Sequence, residues 1–286
     1  MHTPEKYNSF RYRWIYSLLF LSIPFLFPAT SAEASKRNRA PSPISIADEA
    51  LWKMNYHKAD SIYTAELHHN PGNVDLYWKI ARLQVSLGES IPPGNGGARM
   101  QHYHKAAEYA RNCIALDSTN AKGHTWLAAS LGMMADKIGT KEKLKRAQEI
   151  KRELDTALRL NPHDETALSM LGSYYREAAN IGWFRRMVGN AFVGEVPKGD
   201  YTLAEKAFRK AISIDPRIIR NYHELALIDI DYGNKDEAIK LMTIALNKPV
   251  LIESDKRRIG EMRALLKKLC KEKADATLRE QYQEEP

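Results

Sequence analysis

Residues whose types and spacing could perform chemistry are few, and their patterns argue against catalysis. The stretch Gly94-Asn95-Gly96-Gly97 is glycine-rich but lacks the Lys-Ser/Thr ending of a phosphate-binding loop. The pairs His68-His69 and His102-x-His104 have no further metal ligands nearby, so solvent-exposed histidines are favoured over a metal site. No Ser/His/Asp or Cys/His set stands out. The sequence therefore predicts no enzyme, no cofactor and no metal site.

The segment Asp229–Asn234 resembles the start of a calcium-binding loop only superficially. Counted from Asp229, Gly233 stands where a third side-chain ligand belongs, and Lys240 replaces the closing glutamate. The segment also lies where a turn between two helices is expected. We therefore predict a helix end and a turn here.

A helical pattern with spacings of four and three residues recurs five times along the chain, and a turn residue follows each copy. A second helical pattern begins after each of the first four copies. This arrangement predicts an all-α fold, an α-solenoid of tetratricopeptide-like pairs in which helix A precedes helix B. The five helix B registers are Ala59-Tyr63-Glu66-Pro71, Ala106-Ala110-Cys113-Ser118, Ile150-Leu154-Ala157-Pro162, Ala204-Phe208-Ala211-Pro216 and Ala238-Met242-Ala245, with Pro249 one place early.

The predicted repeat domain covers residues 46–252, and a C-terminal capping helix and tail cover residues 253–286. Ser45 with Asp48 resembles a capping box that opens the first helical segment. The helix A of this first segment is short or fused to its helix B. The final helix has one apolar face and a Lys- and Glu-rich outer face, as a terminal cap of a helical array requires.

The three middle pairs exceed the ordinary repeat length of roughly 34 residues. Their extra residues fall between helix A and helix B, so we expect these insertions to project from one edge of the array. The first, Ile91–Gly97, is a loop. The second, near Lys137–Thr140, is a tight turn followed by a basic helix start, either a solvated face or a docking patch for anions. The third contains an apolar helical face from Trp183 to Phe192 that could pack on the repeats, cover an apolar ligand or lie on a membrane.

Residues 1–34 have the layout of a secretory signal peptide. Lys6, Arg11 and Arg13 precede the apolar run Trp14–Pro28, and Ala32-Glu33-Ala34 offers a small-x-small cleavage pattern. Residues 35–45 then form a flexible leader. We expect an exported protein, periplasmic or extracellular, cleaved near Ala34 and without a transmembrane span in its mature form. The alternative is anchoring by an uncleaved N-terminal segment.

The net charge of the chain indicates which kinds of partner to expect. The formal net charge is +8 and the sequence pI is near 9.3, which suits an anionic surface or an acidic peptide. No long Lys/Arg run appears, so nucleic acid is not expected as a partner.

Cys113 occupies a small internal helix position and is predicted to be a buried thiol. Nothing in the spacing pairs it with Cys270, and both are expected to be free.

The helix A faces turned away from helix B should line a concave groove. Four permanent cations against one carboxylate predict a positive trough that suits a carboxylate-bearing peptide or an anionic head group. Ordinary solvated surface is the alternative. The residues on this face are Asp75, Trp78, Arg82, Lys122, Thr125, Ser169, Ser173, Arg176, Arg220 and His223.

Several motifs occur in an order that resembles the regulator of microtubule dynamics family. They are Leu76–Arg82, His124–Ala128, Gly139–Leu144, Trp183 with Arg185-Arg186, and Phe192–Pro197. The resemblance covers roughly residues 47–269 and implies a non-enzymatic helical-repeat domain that engages protein partners or lipids. Eukaryotic members of that family are linked to microtubules and mitochondria. The signal-like N-terminus suggests instead an exported bacterial relative, which would not meet a cytoplasmic microtubule.

Two functional hypotheses follow. The first is a non-enzymatic binding module or scaffold that holds an acidic or amphipathic protein segment in a basic concave groove. The second is a carrier for a lipid or another apolar small molecule, covered by the helix from Trp183 to Val193. The candidate binding residues are Trp78, Arg82, Lys122, Thr125, Ser173, Arg176, Trp183, Phe184, Arg220 and His223.

Overall fold

The structure is a computed structural model that describes residues 40–134, 140–179 and 199–283. These residues form eleven α-helices and no strand, which confirms the all-α prediction. The helices are α1 (Pro43–Trp52), α2 (Tyr56–His69), α3 (Val74–Ser90), α4 (Gly96–Leu116), α5 (Ala121–Met134), α6 (Thr140–Leu160), α7 (Glu165–Ala179), α8 (Tyr201–Ile214), α9 (Ile219–Asp231), α10 (Lys235–Leu246) and α11 (Glu253–Gln283).

The first ten helices form five packed pairs, α1/α2, α3/α4, α5/α6, α7/α8 and α9/α10, and each pair packs on the next. The helical positions of the predicted helix B registers are buried except Glu66, and the turn residues that follow them are exposed. The bulky members Tyr63, Leu154, Phe208 and Met242 are at most 1% exposed, and the small members around them, such as Ala204 and Ala211, are fully buried. The repeated pattern is therefore the packing face of each helix B, as predicted.

Close approach within a pair requires glycine on helix A at two places. A Cβ atom added at Gly172 of α7 would lie 2.8 Å from ring carbons of Phe208 in α8. One at Gly88 of α3 would overlap the ring of Tyr103 in α4. The missing side chain lets each aromatic ring lie directly against the neighbouring helix backbone.

Asn and Asp side chains start the helix A segments after the turns. Asn73 Oδ1 accepts from the Asp75 backbone N–H, Asn120 Oδ1 from that of Gly123, and Asp164 Oδ1 from those of Thr166 and Ala167. These bonds satisfy backbone donors that a helix start leaves free.

The segment resembling a calcium loop is a helix end and a turn, as predicted. Helix α9 ends at Asp231, Gly233 adopts a φ of 81°, and α10 starts at Lys235. Such a positive φ favours glycine. Among the described residues, no group of three or more His, Cys, Asp or Glu side chains could hold a metal ion.

The first helix starts one turn before the predicted capping box. Ser42 is its N-cap and accepts from the Ser45 backbone N–H at 3.2 Å, and Pro43 opens the helix. Proline is favoured there because its φ is already helical and its missing N–H needs no partner. Asp48 therefore lies inside α1, where it accepts from Lys79 Nζ at 2.7 Å and from the Tyr63 hydroxyl. The predicted short helix A is confirmed, since α1 spans 10 residues.

Of the three insertions, the first contains the predicted loop between α3 and α4, but the loop spans only Ile91–Asn95 because α4 already begins at Gly96. Residues 135–139 and 180–198 of the other two lie outside the described residues, and so do Trp183 and Phe184. The described helices include none that is long and apolar enough to cross a membrane.

The last helix, α11, packs on α9 and α10 through Met262 and Leu269, which are buried in the same cluster as Leu225 and Met242. Its start also contacts α3, and the Glu253 backbone N–H donates to the Tyr56 hydroxyl of α2 at 3.4 Å. The array therefore curves until its last helix meets its first two pairs. The capping role agrees with the prediction, but the return contact was not predicted.

The two cysteines differ in environment. Cys113 is fully buried in α4, and this burial raises the pKa of its thiol to about 11. Cys270 is exposed on α11, and both thiols are free. The prediction of a buried thiol at Cys113 is confirmed.

Candidate functional site

The concave side of the array encloses a cavity of about 210 Å³. Its walls come from α1, α3, α5, α7 and α9, from the turn before α9, and from residues 251–258 at the start of α11. Three tryptophans line it, Trp52, Trp78 and Trp126. The apolar lining side chains are Val85, Ala129, Met133, Met170, Ile218, Leu251 and Ile252. The cavity is thus an apolar, aromatic chamber with polar groups at defined points.

Several of the predicted groove residues meet at this cavity. Trp78, Arg82, Lys122, Ser169 and Arg220 line it, although they come from four different helices. The other five, Asp75, Thr125, Ser173, Arg176 and His223, are not among its lining residues. Trp183 and Phe184 lie outside the described residues.

Arg82 presents a largely buried guanidinium to the cavity. It stacks on the indole of Trp52, with 4.2 Å between its Cζ atom and the ring centroid. Burial lowers the pKa of Arg82, but an arginine keeps its charge at neutral pH because its ordinary pKa lies above 12. The charges of Asp48 and Glu165 oppose this shift of the pKa, although these carboxylates pair with Lys79 and Lys122 and none among the described residues forms an ion pair with Arg82.

Arg220 of α9 reaches back to α7. Its Nη2 atom donates to Ser173 Oγ at 3.0 Å, and its Nη1 atom lies 3.4 Å from Met170 Sδ. Both partners are neutral, so no carboxylate among the described residues pairs with the positive charge of Arg220. Arg220 and Arg82 are therefore the two cavity cations that form no ion pair with a carboxylate of the described residues.

Three buried polar atoms of cavity-lining residues have no hydrogen-bond partner in the part of the chain that the structure describes: Trp126 Nε1, Ser169 Oγ and Arg220 Nε. The Ser169 side chain belongs to a residue that is only 5% exposed. Leaving a buried donor unpaired costs about 1–3 kcal/mol. Neighbouring atoms cover each of these three atoms, so a group in the cavity does not contact them in this conformation.

The remaining predicted cations hold the repeats together. Lys122 Nζ lies 3.1 Å from Asp164 Oδ1 and 3.7 Å from a Glu165 carboxylate oxygen. Thr125 is fully buried, with Oγ1 2.9 Å from Asp164 Oδ2. These contacts tie α5 to the start of α7, so Lys122 and Thr125 have a structural role.

Arg176 and His223 lie together near the next repeat boundary. Arg176 Nε is 2.7 Å from a Glu224 carboxylate oxygen, and its Nη2 is 2.9 Å from Glu177. His223 is 7% exposed, and burial lowers the pKa of its imidazole. Since Arg176 is already paired, it contributes little free positive charge.

The expectation of a positive trough is wrong for this cavity. Five carboxylates and four cations line the cavity. The carboxylates belong to Glu89, Glu165, Asp215, Glu253 and Asp255, and each forms an ion pair with a lysine or arginine. They come from the far end of α3, from the first residue of α7, from the turn after α8 and from the start of α11, which an argument restricted to the concave faces of the A helices leaves out. The positive character is confined to Arg82 and Arg220.

Residues 251–258 close one side of the cavity. Asp255 Oδ2 accepts from the backbone N–H groups of Leu251 and Ile252 at 3.2 and 3.3 Å, so it caps the start of α11. Arg258 is 8% exposed and donates to Ser254 Oγ at 2.8 Å and to Asp255 Oδ1 at 3.3 Å. Sequence reasoning missed this wall. The acidic segment Glu253-Ser254-Asp255 is typical of a helix start, but no feature of the segment predicts its contact with α3.

Trp126 was also missed as a cavity residue. In the repeat register, Trp126 of α5 corresponds to Lys79 of α3, whereas Trp78 corresponds to Thr125. A comparison of the repeats therefore did not mark Trp126 as a concave residue.

The comparisons with known proteins agree with this architecture. The family model described as "Regulator of microtubule dynamics protein 1-3" matches residues 44–270. Regulator of microtubule dynamics protein 1 of Bos taurus is 26% identical over 196 residues, which are 68% of this chain and 62% of that protein. The Caenorhabditis elegans protein of the same name is 26% identical over 194 residues, 68% of this chain and 84% of that protein. The match thus spans less than two thirds of the bovine relative.

Solved structures show the same fold. A thermophilic tetratricopeptide-repeat protein of Thermus thermophilus superposes with a TM-score of 0.56 at 16% identity, covering 78% of this chain and 97% of that one. Yeast Tom70 gives a TM-score of 0.50 at 15% identity, covering 89% of this chain and 45% of that one. The fold is therefore a tetratricopeptide-like helical repeat.

Proposed function

Because this chain belongs to the regulator of microtubule dynamics family, we propose that it is a non-enzymatic binding module that holds an acidic or amphipathic segment of a partner protein at its concave side. The observation that supports this most directly is the pair Arg82 and Arg220, whose charges face an aromatic cavity without a carboxylate partner among the described residues. Carboxylates satisfy arginine with charge-assisted hydrogen bonds, and apolar side chains beside them would fill the tryptophan-lined space.

Two labelled peptide libraries test this function. One carries Glu or Asp between Leu, Met and Phe, and the other carries Gln or Asn in place of the acids. We expect the acidic library to bind the protein at least tenfold more tightly in fluorescence anisotropy, and the double variant R82Q/R220Q to lose this preference. The control double variant R209Q/K240Q removes two positive charges from exposed side chains of α8 and α10 and should bind as the unmodified protein does. Equal binding of the two libraries would refute the proposal.

The second candidate, a carrier for a lipid or another apolar small molecule, is favoured by one observation. The cavity is walled on one side by residues 251–258 and has a largely apolar lining, as a small-molecule site does. Its volume of about 210 Å³ suits a small body better than two acyl chains. Native mass spectrometry of the purified protein decides between the two, since a co-purifying apolar molecule would favour the carrier.

Export is proposed on the strength of the charged, apolar and small-residue order within residues 1–34. The protein would then act in the periplasm or outside the cell. N-terminal sequencing of the protein from its native cells should give a start at Ser35. A chain that retains residue 1 and sediments with membranes would instead indicate the anchored form.

A further inference from the structure

We propose that residues 251–258, the wall segment, are a built-in competitor that occupies part of the concave side and swings away at Gly260 when a partner segment binds. This inference rests on the proposed function and adds its regulation. The chain's own wall segment keeps the site partly closed, and an acidic, apolar segment of the partner displaces it.

The wall segment has the chemistry that the proposed function assigns to the partner. Leu251 and Ile252 contribute apolar side chains to the cavity lining, and Glu253 and Asp255 contribute carboxylates. These four residues lie within five consecutive positions, so one short stretch of the chain is both apolar and acidic. It lies against the concave side, where we expect a partner stretch of the same kind to bind.

The cavity is too small for a protein segment while the wall segment is in place. Its volume of about 210 Å³ lies below the roughly 300–1,000 Å³ of pockets for drug-sized molecules. A stretch of several residues is larger than such a molecule. One side of the cavity must therefore move before the stretch can enter.

Long polar contacts tie the wall segment to the first two helix pairs. The Glu253 backbone N–H donates to the Tyr56 hydroxyl at 3.4 Å, beyond the usual range for such a bond. An Arg257 guanidinium nitrogen lies 3.9 Å from a Glu89 carboxylate oxygen, and the Arg257 side chain is 46% exposed. Glu89 also accepts from the Tyr103 hydroxyl at 2.9 Å, so it keeps a closer partner when Arg257 leaves. Breaking these ties is therefore a small cost.

The rest of α11 is anchored independently of the wall segment. Met262 and Leu269 are buried in the cluster that α11 shares with α9 and α10. Gly260 lies between this anchor and the wall segment, and a Cβ atom added there would meet open space. Close packing therefore does not require glycine at this position, whereas glycine does weaken a helix interior. The helix can bend at Gly260 while its anchor stays in place.

A partner gains contacts that the wall segment does not make. A Glu253 carboxylate oxygen lies 2.8 Å from Lys256 Nζ. Asp255 Oδ1 lies 3.3 Å from Arg258 Nη1. Both acids thus pair within the wall segment and keep these pairs when it moves. The two cavity arginines without an ion pair remain for the carboxylates of the partner, which favours displacement.

A double variant that weakens the closure tests the competition. Y56F/R257Q removes the hydroxyl and the guanidinium that tie the wall segment to α2 and α3. We expect it to bind the acidic peptide library at least threefold more tightly, in fluorescence anisotropy on the full chain, than the control Y77F/R263Q. The control removes a hydroxyl that donates to the Pro71 carbonyl and an exposed guanidinium of α11, so both variants lose the same groups and the same charge. Equal or weaker binding by Y56F/R257Q would show that the wall segment is a fixed part of the site and would overturn the inference.

The G260A variant should act in the opposite direction. Alanine stiffens the helix at the bend, so we expect at least threefold weaker binding of the acidic library. The control G97A makes the same change in α4, where an added Cβ atom also meets open space. Binding by G260A that equals or exceeds that of G97A would refute a bend at Gly260.

Hydrogen exchange gives a readout that needs no variant. Mass spectrometry compares the unmodified protein alone and with the acidic-library peptide that binds it most tightly. Backbone amides of residues 251–255 should exchange at least threefold faster in the complex, because the bound peptide displaces them. Slower exchange would mean that the peptide packs on the wall segment, which contradicts the proposed competition.

The outcomes separate this inference from the proposed function. If the unmodified protein prefers acidic peptides but Y56F/R257Q binds them no more tightly than its control, the binding module stands and the competitor is refuted. If the acidic and neutral libraries bind alike, yet both bind Y56F/R257Q more tightly than its control, the acidic preference is refuted and the competitor stands. If neither library binds any of these proteins, both are refuted.

Discussion

Tyr56 and Glu253 are 197 positions apart in the chain, yet the Glu253 backbone N–H donates to the Tyr56 hydroxyl at 3.4 Å. The bond joins the second helix of the array to the first turn of the last. Nearby, an Arg257 guanidinium nitrogen lies 3.9 Å from a Glu89 carboxylate oxygen of α3. The two ends of the helical array are therefore tied across the concave side, and the cavity has a wall where an open solenoid would have a gap.

The R258M variant should loosen this wall. Arg258 holds Ser254 and Asp255 by hydrogen bonds while its side chain is almost fully buried, so methionine retains the apolar stem and loses the donors. We expect backbone amides of residues 251–255 to exchange hydrogen at least tenfold faster, measured by mass spectrometry. The variant R263M, at an exposed position one turn later, serves as the control. Unchanged exchange in R258M would show that the wall does not depend on this arginine.

The G172A variant should destabilise the fourth helix pair. Its methyl group would lie 2.8 Å from ring carbons of Phe208, which is fully buried and has no room to withdraw. We expect a loss of about 1–3 kcal/mol in the free energy of unfolding, measured by urea titration with far-UV circular dichroism. In the control G260A, the new methyl group points into open space on α11 and should stabilise that helix by up to about 1 kcal/mol. Equal effects of the two changes would contradict the close packing.

The D164A variant should cost more than the loss of an ordinary helix cap. Asp164 caps α7, pairs with Lys122 and contacts Thr125 Oγ1, all while fully buried. We expect about 3 kcal/mol of destabilisation, because the cap is lost and the partners on α5 remain buried. N120A removes a cap at the equivalent turn and should cost about 1 kcal/mol. Similar unfolding midpoints for the two variants would argue against the cross-repeat network.

Stability should fall as the pH drops below the ordinary pKa of histidine, about 6.5. Burial lowers the pKa of His223, although Glu224 and Glu261 oppose that shift, and Arg258 and Arg176 add to it. The unfolded chain therefore takes up a proton at His223 before the folded chain does, which favours unfolding in acid. His102 has the same direction of shift, caused first by burial.

The H223Q variant measures the share that His223 contributes to this loss. The decrease in the urea midpoint between pH 7.5 and pH 5.5 should be smaller in H223Q than in the unmodified protein. The exposed substitution H163Q should leave the decrease unchanged. If H223Q retains the full decrease, other groups account for the acid sensitivity.

The sequence determined the repeat architecture because each helix pair is specified locally. Residues spaced by four and three, such as Ala204, Phe208 and Ala211, can bury one helical face only against an adjacent helix, and the following Pro216 ends that helix. The loop at Ile91–Asn95 and the turn at Gly233 follow from the same local rules. The capping role of α11 also followed from its single apolar face.

Only the tertiary structure decided the shape and charge of the candidate site. Small rotations between repeats add up along the array, and no single repeat encodes their sum, so the return of Glu253 to Tyr56 was not readable from the sequence. For the same reason the predicted cations separate into two kinds. Lys122 and Arg176 form ion pairs with carboxylates of neighbouring repeats, whereas Arg82 and Arg220 line the cavity without an ion pair to a described carboxylate. Pairing depends on which side chains the curvature of the array brings within 4 Å of each other.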